Sequence, residues 1–379
     1  MSQTITTEQA LYFRARRNGL ISSCGSTLAQ SARSLLGAQA QIETYAYQAL
    51  SLRTADQPQA SEVKKALHTS GELVRTRGQR DTLHLYAKED WPLFQSASRL
   101  WVRSGRRGGM PDRGLVADID SYFLEQGRAL TRSDLFDVIP KSFWQELRNH
   151  PGSGETDEGA LRFAATRLIW CLCHEGRLVF GDKVGREVCY LHRDLVWSGE
   201  WPEYEPSKAS CEVVRRYFST FGPATVQDVA HYLGARVSDT RPWIGELEKE
   251  LTTVTHPERG ELMMLHSDIE DLQASDDRGD WPLRLLPAYD TLLMAHKDKR
   301  WILPRAELEP KVWKKAAVVN GVVLVRGQIA GTWSFKKSRR AVDVGVESFG
   351  MDFDPSEFKV EHERLAHHLA VKPGRLELS

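Results

Sequence analysis

The sequence predicts an α+β fold in which one supersecondary unit, a set of helices followed by a β-hairpin, occurs three times ahead of a small β-rich module. Three observations predict it. Three segments each end in two short apolar runs around a polar turn, which is the pattern of a hairpin. Each hairpin follows an amphipathic helix pattern at similar internal spacing, as expected of a repeated unit. From Leu283 onward, β-branched runs and glycine turns replace the helical pattern.

Helix and hairpin follow each other in the same order in the three units. Polar or glycine-bearing residues separate the two strands of each hairpin. The helices are predicted at 62–67, 161–173 and 243–248, and the paired strands at 71–74 with 82–86, 176–179 with 188–192, and 251–254 with 262–266.

A capping signal precedes the helix pattern in the second and third units. Thr131 with Asp134, and Thr225 with Asp228, stand three residues apart, the spacing at which both side chains satisfy a helix N-terminus. Helix, short capped helix, longer helix and hairpin is the order of a winged helix. We therefore predict tandem winged helices that form a concave scaffold. Their predicted ranges are 1–98, 99–200 and 207–270.

The remaining residues, 281–379, are predicted to form the β-rich C-terminal module. The β-branched run 318–325 contains Asn320-Gly321, a dipeptide typical of a hairpin turn. A second turn at 326–328 leads into another strand over 329–333. A helix from about Ser356 to Leu369 closes the module.

The composition limits the kind of partner and compartment. The 379 residues carry 51 Lys+Arg and 51 Asp+Glu, so any contact with nucleic acid depends on local clusters of charge. Five cysteines lack zinc-ligand spacing, and we expect reduced thiols, no metal and no cofactor. No run of eighteen apolar residues occurs. We expect a cytoplasmic, nucleoid-associated monomer that binds no membrane.

Positive charge gathers at four places in this neutral chain. Any one cluster is typical of a solvated surface, but together with winged-helix repeats they favour a nucleic-acid channel with phosphate contacts from Lys and Arg. The clusters are Arg14/Arg16/Arg17, Arg75/Arg77/Arg80, Arg103/Arg106/Arg107/Arg113 and Lys336/Lys337/Arg339/Arg340.

Gln39 and Gln41 lie one residue apart early in the chain. Glutamine is a good surface helix former, so the pair by itself indicates no more than an exposed segment. The surrounding blocks change this interpretation. In chain order they are LLGAQAQ, LVRTRGQRDTLHLY, GPATVQDVAHYLG, LLPAYDTLLMAHKDKRWILP and VLVRGQIAGTWSF.

Over nearly the whole chain these blocks resemble the AlkZ/YcaQ-like family of bacterial winged-helix DNA glycosylases. The AlkZ branch is known by a Gln-hydrophobic-Gln catalytic motif, which falls here on Gln39-Ala40-Gln41. The YcaQ branch has Asp at the second polar position, so the sequence is similar to the AlkZ branch. One residue departs from the pattern: Asp81 stands where the family has Gly between Arg and Thr.

The resemblance implies a monofunctional glycosylase that hydrolyses the N-glycosidic bond of bulky N7-alkylguanine adducts or interstrand crosslinks. It would leave an abasic site, often as self-resistance to a genotoxic natural product. The implied partner is double-stranded DNA carrying alkylated guanine. Two alternatives stay open: a broad-range housekeeping alkylation-repair glycosylase, and a winged-helix regulator that binds DNA without catalysis.

The chemistry suits a pair of amides. N7-alkylated guanine is cationic and leaves as a neutral base, so the barrier lies in forming the sugar cation and delivering water. Glutamine cannot act as a general base, but its carbonyl can orient water and its dipole can favour a developing cation. We predict Gln39 and Gln41 as catalytic. The predicted DNA contacts are Arg77, Arg80, Thr82, His84, Lys336, Lys337, Arg339 and Arg340, with a structural role as the alternative for His84.

Overall fold

The computed structural model describes residues 3–101, 111–274, 281–303, 305–351 and 354–379. These residues form a mixed α/β fold in which helices pack around one three-stranded, one two-stranded, one five-stranded and one six-stranded sheet. Arg103, Arg106 and Arg107 of the third predicted basic cluster lie outside the described residues, whereas Arg113 is described and exposed.

The N-terminal region contains the first predicted hairpin. Thr6 and Gln9 form a capping box that starts the first long helix, and Thr27 and Gln30 do the same for the next. The elements are β1 Gln3–Thr4, α1 Thr7–Arg17, α2 Leu28–Ser34, β2 Ala38–Gln39, α3 Glu43–Ser51, α4 Ala60–His68, β3 Leu73–Arg77, β4 Leu83–Ala87 and α5 Trp91–Trp101.

The next two segments repeat helices followed by a hairpin. The second consists of α6 Arg113–Gln126, β5 Leu130–Thr131, α7 Lys141–Glu146, α8 Asp157–His174, β6 Leu178–Val184, β7 Glu187–His192 and α9 Arg193–Val196. The third consists of α10 Pro206–Phe221, α11 Val226–Leu233, α12 Val237–Gly245, β8 Leu251–His256, β9 Gly260–Leu265 and α13 Ile269–Gln273.

The C-terminal region is rich in β-strands and contains the predicted closing helix. Its elements are β10 Arg284–Leu286, α14 Thr291–Met294, α15 Glu309–Val312, β11 Trp313–Lys314, β12 Val318–Val319, β13 Gly321–Val325, β14 Gln328–Lys337, β15 Ala341–Ser348, α16 Pro355–His368 and β16 Lys372–Leu378.

The three predicted hairpins are confirmed as the antiparallel pairs β3–β4, β6–β7 and β8–β9. The first two hairpins do not stand apart: they share one six-stranded sheet of order β2-β4-β3-β6-β7-β5, joined where Arg75 pairs with Phe180. The third hairpin pairs with the start of the chain, because β1 runs parallel to β8 with Gln3 opposite Val254. The N-terminal strand therefore ties the first segment to the third.

The largest core lies between α1, α5, α10 and the third hairpin. The indole Nε1 of Trp101 donates to Ser210 Oγ at 3.0 Å, which fixes α5 against α10. Burying aromatic rings of this size contributes much of the stabilisation of such a core. Its fully buried aromatic side chains include Phe13, Phe94, Trp91, Tyr217, Phe218 and Tyr232.

The two predicted capping pairs have different outcomes. Thr225 and Asp228 form a reciprocal capping box at the start of α11, as predicted. Thr131 and Asp134 also bond to each other, with Asp134 Oδ2 accepting from the Thr131 hydroxyl at 2.6 Å. They begin only a single 3₁₀ turn at residues 133–135 rather than a longer helix.

The prediction of a hairpin at Asn320-Gly321 is wrong. β12 pairs with β11, and β13 pairs with β14 through a turn at Arg326-Gly327, where φ is 44° and 74°. The Asn320 amide donates instead to Lys311 O at 2.8 Å. The glycine at 321 allows a close approach: a Cβ there would lie 2.9 Å from Trp333 Nε1. The Asn-Gly pair thus serves packing between strands rather than a reversal of the chain.

The five-stranded sheet of the C-terminal region has the order β10-β13-β14-β15-β16. Its last strand follows α16 and runs parallel to β15, which the sequence did not predict. In the parts of the chain that the structure describes, no helix combines the length and the apolar character needed to cross a bilayer.

Candidate active site

The two glutamines lie beside the first hairpin. β2 pairs with β4 so that Gln39 is opposite His84, and Ala40 N donates to Leu83 O at 2.6 Å. Just ahead of β2, Gly37 has φ 88°, and a Cβ at this position would lie 2.4 Å from a ring carbon of Tyr86. Only glycine fits both the left-handed backbone and this contact. The segment that carries the glutamines is therefore fixed by its own backbone.

Gln39 is a buried polar residue with a specific partner. Its side chain is 6% exposed, and its Oε1 accepts a hydrogen bond of 2.9 Å from Arg80 Nη2. The same guanidinium donates through Nη1 to the Tyr232 carbonyl at 2.6 Å and lies 5.6 Å from the Tyr232 ring centroid. Burial lowers the pKa of Arg80 below its usual value, with the Tyr232 hydroxyl acting in the opposite direction. Gln39 is thus held to the third segment through Arg80.

Gln41 is held less tightly and is exposed. Its Oε1 lies 3.5 Å from Leu83 N, a long contact that leaves the amide free to bind elsewhere. The backbone between the two glutamines is nevertheless fixed, because Arg75 Nη2 donates to Ala40 O at 3.0 Å. Arg75 also pairs with Glu43 on α3. The pair therefore combines one anchored amide with one surface amide on a rigid segment.

The turn between β3 and β4 places Arg80. Arg80 and Asp81 both have a left-handed backbone, with φ 57° and 58°. The Asp81 carboxylate accepts from Trp170 Nε1 at 3.2 Å and lies 2.9 Å from His174 Nε2, both on α8. Arg77 Nη1 also reaches Asp81 Oδ1 at 3.1 Å. This position favours glycine by its backbone, and here aspartate uses it to bond the turn to the second segment.

Thr82 and His84 lie inward from this turn. The Thr82 hydroxyl donates to Gln79 O at 3.0 Å. The His84 ring is fully buried, its Nδ1 lies 3.1 Å from Thr82 O, and burial lowers its pKa to about 3. The imidazole is therefore neutral at pH 7 and has no surface in this structure from which to contact a phosphate. These contacts favour the structural alternative for His84.

Lys336 and Lys337 end β14, and Arg339 and Arg340 lie in the turn that leads to β15. These four residues are here called the basic turn. All four side chains are exposed. The arginines of the first two clusters are buried or half-buried, whereas Arg113 of the third is exposed. Arg14 is 1% exposed and lies over Trp301, and Arg17 is paired with Asp268 at 2.6 Å. The prediction that the first cluster forms a basic surface is therefore wrong, because Arg14 is buried and Arg16 and Arg17 form ion pairs with acidic residues of α13 and the turn before it.

Sequence reasoning missed several residues that hold the site. Gln79 Nε2 donates to Leu36 O at 2.9 Å and to the Tyr232 hydroxyl at 3.1 Å. The Tyr86 hydroxyl donates in turn to Gln79 Oε1. No local signal in the sequence pairs Gln79 with Leu36 or Tyr232, because each of these two residues is more than forty positions away from Gln79. Among the described residues, no group of three His, Cys, Asp or Glu side chains is placed to hold a metal.

Comparison with known proteins decides the family. The model of the DNA glycosylase AlkZ-like family matches residues 32–368, which is most of the chain. The chain belongs to the AlkZ-like DNA glycosylase family.

Within this family, one curated relative is the interstrand DNA cross-link repair glycosylase of Streptomyces sahachiroi. It is 24% identical over 357 residues, which cover 90% of this chain and 91% of the relative. The solved structure of the Streptomyces sahachiroi DNA glycosylase AlkZ superposes with a TM-score of 0.80 at 22% identity and covers 100% of both chains. This AlkZ-like glycosylase therefore has the AlkZ fold.

Proposed function

We propose that this AlkZ-like glycosylase hydrolyses the N-glycosidic bond of bulky N7-alkylguanine adducts or crosslinks, with Gln39 and Gln41 as its catalytic residues. The observation that carries the proposal is the pair of amides on one rigid segment, Gln39 anchored by Arg80 at 2.9 Å and Gln41 at the surface. A catalyst that positions rather than transfers protons needs such rigidity. The relative named for repair of interstrand cross-links supports this substrate class.

The mechanism follows from the charge of the substrate. An N7-alkylated guanine leaves as a neutral base, so no acid is needed at the leaving group. The enzyme must stabilise the cationic sugar and direct a water to C1′, which preorganised amide dipoles can do. The neutral His84 is buried beside this segment and supplies no proton at pH 7. The reaction leaves an abasic site and an intact strand.

We further propose that the three helix–hairpin segments are winged helices, over 1–98, 99–200 and 207–270, and that DNA lies across their concave face. The basic turn would contact the sugar–phosphate backbone, because its four cations are exposed at a hairpin end. Arg77, Arg80 and Thr82 are half-buried, so a contact from them requires the DNA to approach the β3–β4 turn closely. The protein would act as a monomer.

The activity itself is tested on a duplex carrying N7-alkylguanine at one position. We expect enzyme-treated duplex to break at that guanine after mild heating in alkali, and to remain intact without alkali, as for a monofunctional glycosylase. A sample without enzyme sets the spontaneous background. Binding of the duplex with breakage no higher than this background would instead indicate a regulator without catalysis. Comparing bulky with methyl adducts separates a dedicated resistance enzyme from broad-range repair.

The basic turn is tested by the salt dependence of binding. Lys336→Ala with Lys337→Ala removes two phosphate contacts, so the slope of log K against log salt should become shallower by about 1 to 2. The ratio of excision rates for damaged and undamaged duplex should stay the same. Lys249→Ala with Lys359→Ala removes two exposed lysines outside the basic turn and is the matched control. An equal change in slope for both double variants would contradict the assignment.

A further inference from the structure

The contact between Arg80 and Gln39 fixes the orientation of the Gln39 amide. A guanidinium has only N–H donors, so the atom that meets it must be the carbonyl oxygen. Turning the amide by half a rotation would set its NH₂ group against the Arg80 N–H groups and lose the 2.9 Å hydrogen bond. The NH₂ group of Gln39 therefore faces away from Arg80.

Arg80 is itself prevented from moving aside. Its second nitrogen is bonded to the Tyr232 carbonyl at 2.6 Å, and the end of α11 approaches its backbone closely. A Cβ at Gly234 would lie 2.8 Å from Arg80 Cα, so only glycine at 234 leaves room. On the other side, Asp81 bonds to α8 through Trp170 and His174. Elements from the second and third segments thus hold the guanidinium in place.

The charge of Arg80 also changes the hydrogen-bonding strength of the Gln39 amide. A hydrogen bond from a cation to the carbonyl draws electron density from the amide and makes its NH₂ a stronger donor and its oxygen a weaker acceptor. A nucleophilic water needs an acceptor, which Gln41 offers because its carbonyl makes only the long 3.5 Å contact. The two glutamines therefore differ in chemical role.

We propose that Arg80 is a positioning residue that holds Gln39 as a hydrogen-bond donor to an oxygen of the damaged nucleotide, and leaves Gln41 to orient the water. This inference rests on the proposed function. It assigns separate tasks to two residues that the sequence motif presents as equivalent.

The decisive variant is Gln39→Glu. It keeps the shape of the side chain and its bond to Arg80 but replaces the NH₂ donor with oxygen. We expect single-turnover excision to slow by roughly 10²-fold, as much as in Gln39→Ala, because the donor is lost in both. An unchanged or faster rate for Gln39→Glu would overturn the proposal, since it would show that excision does not require the NH₂ donor of residue 39.

The role of Arg80 is tested by asking whether the effect of replacing it depends on Gln39. Arg80→Met should slow single-turnover excision at least about tenfold with little change in duplex affinity, and Arg80→Lys should recover part of the rate through its remaining cationic donor. Combining Arg80→Met with Gln39→Glu should be no slower than Gln39→Glu alone, because Arg80 acts through the Gln39 amide. Losses that multiply in the double variant would overturn the proposal, because a purely structural role for Arg80 gives that result.

The controls separate this inference from the proposed function. Arg215→Met removes a guanidinium that is paired with Glu212 on the surface of α10, and its rate should match the wild type. Melting temperatures show whether each variant is folded before rates are compared. If Gln39→Ala excises at the wild-type rate, the proposed function fails at this site. If Gln39→Ala is slow but Gln39→Glu is not, only the donor role of Gln39 fails.

Discussion

Single-turnover excision of N7-alkylguanine is expected to fall by roughly 10²-fold in Gln41→Ala and in Gln39→Ala, the loss typical of removing one preorganised dipole. Duplex affinity should persist, because neither amide carries charge and the phosphate contacts come from cations elsewhere. Gln41 is exposed, so its truncation leaves no cavity and the effect on rate is free of a folding defect. Rapid-quench measurement with enzyme in excess isolates the chemical step from product release.

A matched glutamine controls for this loss. Gln126 is exposed at the end of α6, far along the chain from the first hairpin, and Gln126→Ala should excise at the wild-type rate. The double variant of Gln39 and Gln41 should lose less than the product of the two single losses, because both act on one transition state. Full activity in Gln41→Ala would contradict the assignment of the motif as catalytic.

The second large effect concerns stability. Arg53 and Asp290 form a bidentate ion pair, in which Nη1 and Nη2 of Arg53 each lie 2.9 Å from a carboxylate oxygen of Asp290. Neither side chain is exposed. Arg53 also donates to Asn18 O and Ala49 O, so its donors are satisfied on both sides. Asp290→Ala leaves the guanidinium buried without its counter-charge. The free energy of unfolding should fall by about 3–5 kcal/mol, the usual cost of breaking such a pair.

Urea unfolding followed by circular dichroism measures this loss. Replacing both partners, as Arg53→Met with Asp290→Leu, should recover much of the stability because no charge is then left buried. Lys311→Ala removes one partner of the exposed pair with Glu347, where both side chains are about half exposed, and should cost at most about 1 kcal/mol. Equal losses for Asp290→Ala and Lys311→Ala would show that burial does not determine how much an ion pair contributes to the free energy of unfolding.

The features that the sequence predicted well are those carried by neighbours in the chain. The hairpin at β8–β9 follows from two apolar runs around a polar turn, and the capping box at Thr225 and Asp228 from a spacing of three residues. The helix predicted near 356–369 is α16, Pro355–His368. In these cases short-range preferences and tertiary packing agree.

The features that the sequence did not predict depend on distant partners. Asn320-Gly321 has the composition of a turn, but contacts with Lys311 and Trp333 decide its conformation. Arg17 looks like surface charge until Asp268, 251 residues later, is placed beside it. The motif identifies Gln39 and Gln41, yet nothing near them in the sequence indicates that Tyr232 fixes Arg80. Local patterns can locate the two glutamines but not the residues that orient them.

The hydrogen bonds that fix Gln39 through Arg80 and Tyr232 join parts of the chain that are synthesised at different times. Gln39 and Arg80 are 41 residues apart, but Tyr232 follows Arg80 by 152 residues. A chain emerging from the ribosome folds its N-terminal part first, so the first hairpin forms before α11 exists to support the guanidinium. The nascent chain then carries both glutamines without their final geometry. Under the proposed catalytic assignment of Gln39 and Gln41, excision therefore requires that the third segment has folded against the first, and a chain that ends before Tyr232 should be inactive.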